Sequence, residues 1–135
     1  MNSCIYIYTE DLLGLTVATI IAEDLDFQIA HSDKLGGNRQ LRANLKKYNQ
    51  IAARFPVLVF TDLDERECAP TLIRQWTQGI SPSKNLLLRV NVHEVESWLF
   101  GDQESFAEFL GIHPSNMPED PEGLLNPKQT LFNLV

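Results

Sequence analysis

"PVLVFTDLD", residues 56–64, decides how this chain must fold. Its unbroken Val57-Leu58-Val59-Phe60 core shows no polar alternation, the pattern of a strand buried on both faces in a parallel sheet. Helices must then cover it on both sides, and parallel neighbours require crossover connections. The strand runs out on two aspartates one residue apart, Asp62 and Asp64.

Working upstream, "CIYIYTE" (4–10) alternates and is rich in β-branched and aromatic residues, which predicts a strand with Glu10 at its end. "LLGLTVATIIAEDL" (12–25) carries apolar residues at helical spacing, with Asp11 placed to cap it. "DFQIAHSD" predicts a short second strand, and "KLGGNRQ" a turn in which Gly36-Gly37 permits unusual backbone angles. A second helix follows over 40–55, with Leu41, Leu45, Tyr48, Ile51 and Ala52 near helical spacing.

Downstream, "APTLIRQWTQG" (69–79) predicts a third helix with Pro70 in its first turn and Gly79 ending it. "NLLLRVNV" (85–92) is a fourth strand. "EVESWLF" (94–100) and "SFAEFLGI" (105–112) are short helices, the first with Val95, Trp98 and Leu99 on one face. The alternation implies an α/β fold, a three-layer sandwich around a mostly parallel central sheet of about four strands.

Residues 1–112 form that domain on this reading. Residues 113–135 hold four of the seven prolines and no long periodic segment until Lys128, so they are expected to pack on the domain as an extension. The closing "TLFNLV" lacks a polar cap, which points to a natural chain that continues past it.

The bulk properties are those of one domain: 135 residues, 44% of them hydrophobic. No apolar run approaches the ~18 residues of a membrane span, and no secretory signal is visible. Two unrelated cysteines, Cys4 and Cys68, suit a reducing cytoplasm. A net charge of −7 argues against a broad basic surface tracking a nucleic-acid backbone. It leaves room for phosphodiester chemistry, because carboxylates gathered around divalent metals can handle phosphates.

In an open parallel sheet, ligands bind beyond the carboxyl ends of the strands. Glu10, Asp62, Asp64 and Glu94 all belong to that edge. Two residues apart on an extended segment, Asp62 and Asp64 should point to one side, and hard cations such as Mg²⁺ take such oxygen ligands. Their repulsion would be offset by the ion, by water or by Arg66.

Taken alone, an Asp-x-Asp at a strand end is more often a turn than a metal site. Glu10 alters that balance as a further ligand or a base, although a carboxylate also suits the start of a helix. Glu94 and Glu96 flank an apolar face, so each could lie at a buried edge or be only the acidic start of a helix. Trp98 reads as core, and His93 as solvent-facing or hydrogen-bonded. Gly36-Gly37-Asn38-Arg39 lacks a Walker pattern and is a simple loop on balance, with Arg39 and Lys128 as candidate phosphate contacts. No Ser-His-Asp arrangement, zinc-finger spacing or dinucleotide fingerprint is present.

The order of a glutamate after the first strand and Asp-x-Asp after a central hydrophobic strand resembles the Toprim domain of topoisomerases, primases and OLD-type nucleases. The resemblance implies that Glu10, Asp62 and Asp64 surround Mg²⁺, or Mn²⁺ in its place, for phosphodiester chemistry. Asp11 stands where that family usually has glycine.

The stretches "YTEDLLGLTV", "LGGN", "VFTDLDERECAPTLIRQW", "LLLRVNVHEVESWLFGD" and "NPKQTL" are similar to a small bacterial family of Toprim-like proteins. This second resemblance implies Glu94, Glu96 and Lys128 as additional site residues.

Three functions follow as expectations. The first is a Mg²⁺-dependent nuclease or related phosphoryl-transfer enzyme acting on nucleic acid. The second is a non-catalytic module binding a partner protein or nucleic acid in a bacterial defence or mobile-element system. The third, a haloacid-dehalogenase-like phosphatase, also places Asp-x-Asp after a strand, but its usual Thr or Val is Glu65 here and the motif lies mid-chain.

Overall fold

The computed structural model describes residues 3–64 and 68–135. Four strands, β1 (Cys4–Thr9), β2 (Gln28–Lys34), β3 (Val57–Asp62) and β4 (Leu86–Asn91), form one parallel sheet in the order β2-β1-β3-β4. The outer strand β2 is exposed at every position except Ile29, as expected where one edge has no neighbour. β1 and β3 sit in the middle and carry the apolar runs.

The described residues also form the helices α1 (Leu12–Asp24), α2 (Asn38–Ile51), α3 (Ala69–Thr77), α4 (Val95–Leu99), α5 (Gln103–Leu110) and α6 (Pro127–Leu134), of which α1 to α4 cover the sheet. Successive side chains of a strand face opposite ways, so the apolar run of β3 is shared between two layers. Val57 and Val59, with Tyr8, pack against Leu41, Leu45 and Tyr48 of α2 and Leu72 and Trp76 of α3. Phe60, with Ile5 and Ile7, packs against Ala18 and Ala22 of α1 and Val95 of α4. This is the expected three-layer α/β sandwich. Among the described residues no helix is long and apolar enough to cross a membrane.

Local chemistry sets the element ends. The Asp11 side chain accepts from the Gly14 amide at 2.8 Å and caps α1. Gly36 and Gly37 take φ of 77° and 151°, values that residues with a Cβ rarely adopt, and α2 starts directly after them. The helix closes at Ile51, four residues before the expected Phe55. Pro56 explains this early stop, since it has no N–H to offer the Ala52 carbonyl and disfavours a helical Phe55; Ser83 Oγ and Asn85 Nδ2 donate to that carbonyl instead, at 2.8 and 3.0 Å.

A third apolar cluster lies away from the sheet, built on Phe100, Ala107 and Met117 with Phe106, Leu110, Leu131 and Leu134 packed against it. Residues 113–135 contain two 3₁₀ turns, Pro114–Asn116 and Pro121–Gly123, and α6. Each of these begins at a proline, whose fixed φ and missing N–H cost nothing in a first turn.

Leu45 is fully buried whereas Phe132 is 65% exposed. Leu45→Ala should therefore lower stability by about 2–5 kcal/mol and Phe132→Ala by less than ~0.5 kcal/mol in urea unfolding.

Candidate functional site

Two carboxylates join the strands at the carboxyl edge of the sheet. Glu10 follows β1 directly, and its Oε1 accepts from the Asp62 backbone amide at 3.1 Å and from the Thr61 hydroxyl. Asp62, the last residue of β3, pairs in register with Asn91, the last residue of β4. Its Oδ1 accepts from Asn91 Nδ2 at 2.8 Å and from the Val95 amide at 3.0 Å. That amide opens α4 and belongs to the first-turn donors that no helical carbonyl can reach. Glu10 thus binds β1 to β3, and Asp62 binds β3 to β4 and α4.

Asp64 stands differently from the expectation of an extended pair. The extended arm stops at Asp62, and Asp64 lies in a turn with φ of 53°. Leu63 between them is buried, its amide donating to Asn91 O at 2.8 Å, while the Asp64 amide donates to His93 O at 2.7 Å. His93 Nδ1 sits 2.9 Å from Asp64 O; a carbonyl only accepts, so this nitrogen carries the proton. Glu65 and Arg66, the latter expected to offset the aspartates' repulsion, lie outside the described residues.

Electrostatics mark Asp62 as the focus. Burial pushes its carboxyl up from 3.8 to about 7; the charges of Glu10, Asp11 and Asp64 push the same way, against the lowering effect of the Asn91 hydrogen bond.

Glu94 and Glu96 engage α6. Glu94 Oε2 accepts from the Lys128 amide at 3.2 Å, and buried Glu96 lies 3.5 Å from Lys128 Nζ. The charge of Glu96, then those of Glu94 and Asp11, raises the pKa of Lys128 and holds it protonated. The helical face expected from Val95, Trp98 and Leu99 is rotated: Val95, Glu96 and Ser97 are buried. Trp98, expected in the core, is 45% exposed and rests edge-on against Phe60 at 5.2 Å between ring centroids. The five-residue helix is oriented by polar contacts to Asp62 and Lys128, so its apolar pattern does not set its inner face.

Beside Glu10 opens a cleft of about 470 Å³ lined by Glu10, Asp11, Leu12, Lys34, Leu35, Gly36 and Gly37. Arg39 is exposed on the first turn of α2, and the cation lining the cleft is Lys34. Lys34 and Asp11, on the cleft wall, and Asn91, bonded to Asp62, are therefore candidate site residues that sequence reasoning passed over. Asn91 had one available signal, as a polar residue ending an apolar strand in "LLLRVN".

Among the described residues no three His, Cys, Asp or Glu side chains form a group that could hold a metal ion. Mg²⁺ does not demand three, since it commonly takes one or two protein carboxylates and keeps several waters. Comparison with protein-family models, curated proteins and solved structures finds no match.

Asp62 makes the metal-free fold pH-sensitive. Its folded value lies above its unfolded one, so the folded state holds the extra proton and stability falls as pH rises from about 4 to 7. With EDTA present, the wild type should gain on the order of 2 kcal/mol in urea unfolding between pH 8 and pH 5, after allowance for partial solvent screening. Asp62→Asn keeps the acceptor oxygen and removes the charge; it should flatten that slope and raise the Tm at pH 8.

Proposed function

We propose that this chain is a Toprim-like, Mg²⁺-dependent nuclease or related phosphoryl-transfer enzyme acting on nucleic acid, with Mn²⁺ able to replace Mg²⁺. The observation that carries this reading is the half-buried Asp62 carboxylate, bonded to Asn91 of β4 and the first amide of α4 and raised to about 7 amid Glu10, Asp11 and Asp64. A hard divalent cation is the natural partner for such a cluster, and oxygen donors are what it takes.

In this reading Asp62 and Glu10 would hold the cation with water completing its shell, and Asp64 adds its charge from the following turn. When bound, the cation would offset charge on the phosphoryl oxygens. The bonds from Thr61 and the Asp62 amide fix the Glu10 carboxylate, which suits a ligand or a base that must keep one direction. Lys128, kept protonated by Glu96 and Glu94, supplies a cation for a substrate phosphate. The cleft beside Glu10 gives room for that phosphate, with Lys34 on its wall and the start of α2 next to Gly37.

One observation favours a second reading, a non-catalytic module binding a partner protein or nucleic acid: among the described residues no three His, Cys, Asp or Glu side chains form a group that could hold a metal ion. Calorimetry separates the two, since the module would bind neither Mg²⁺ nor Mn²⁺ at millimolar concentration.

The test of activity is cleavage of single- and double-stranded oligonucleotides with Mg²⁺ or Mn²⁺. Asp62→Ala and Glu10→Gln should each lower the rate ~10²-fold or more, a loss typical of removing one preorganised charge-stabilising group. Cleavage that survives EDTA, or that neither substitution slows, rejects the proposal.

A further inference from the structure

Asn91 is only 1% exposed, and its side chain is half used. Nδ2 donates at 2.8 Å to Asp62 Oδ1, the same oxygen that accepts from the Val95 amide. Its carbonyl oxygen Oδ1 is buried and has no hydrogen-bond partner among the described residues. Withdrawing an amide carbonyl from water without a partner is unfavourable, and such atoms are rare in native interiors. The residue stands in register with Asp62, so this unsatisfied oxygen belongs to the same strand end as the acidic cluster.

We infer that Asn91 Oδ1 is an oxygen donor of the cation site, joining the carboxylates of Asp62 and Glu10. Amide carbonyls are ordinary ligands of hard divalent cations, and being neutral they add a ligand without adding to the repulsion between the carboxylates. One side chain then serves both states. Its amide steadies Asp62 while the site is empty of charge compensation, and its carbonyl is satisfied when the cation enters. The inference rests on the cation-dependent reading above and extends it to a residue that no acidic motif contains.

Two substitutions separate a ligand from a residue that only steadies Asp62. Asn91→Leu removes both donor and carbonyl at similar volume. Asn91→Asp removes the donor, adds a like charge beside Asp62, and retains an oxygen ligand. The readout is Mn²⁺ affinity at pH 8, from the electron paramagnetic resonance signal of free Mn²⁺, with folding of each variant followed by circular dichroism in EDTA.

A ligand role gives Asn91→Asp an affinity equal to or above wild type, while Asn91→Leu binds ~10-fold or more weakly. Asn91→Asp should also be the less stable of the two without metal, with added Mn²⁺ restoring its Tm. If the wild type binds Mn²⁺ and Asn91→Leu binds equally well, or if Asn91→Asp binds more weakly than Asn91→Leu, the role of Asn91 is refuted and the cation site stands. No Mn²⁺ binding by the wild type overturns both together.

Discussion

A single carboxylate oxygen, Asp62 Oδ1, holds the end of β3 to Asn91 of β4 and to the first amide of α4. Placing a carboxylate there is costly, because burial opposes its charge and three other acids surround it. The cost is tolerated because the carboxylate serves several structural needs at once. It satisfies an amide of α4, fixes the side chain opposite it in the sheet, and sets which face of α4 turns inward.

The rest of the edge is arranged around that point. Glu10 accepts from the Asp62 amide, so the crossing from β1 into α1 is registered against β3. Val95 reaches both Asp62, through its amide, and the apolar layer under α1, through its side chain. Lys128 then brings α6 against α4 through Glu94 and Glu96. The C-terminal segment, which has its own apolar cluster around Phe100, is tied to the sheet's acidic edge by these charged contacts.

Much of the fold was legible because parallel β/α units write their pattern plainly. Val57 to Phe60 could be recognised as doubly buried from its lack of alternation, and Leu41, Leu45 and Tyr48 as the inner face of α2 from their spacing. Trp98 was misread because α4 is too short for its periodicity to outweigh polar contacts made by distant residues. The early end of α2 was legible in Pro56, whereas the donors that satisfy the Ala52 carbonyl, Ser83 and Asn85, lie more than thirty residues away and come only with packing.

Sequence alone determined the α/β class, the strand that anchors it, and the acids at its carboxyl edge, because side-chain period and strand-end chemistry are local properties. Tertiary structure decided the partnerships. It turned Asp64 out of the extended arm, sent Glu94 and Glu96 to Lys128, lined the cleft with Lys34, and set Asn91 against Asp62. These depend on strand order, register and backbone direction after each strand, which a chain acquires only when its distant segments pack together.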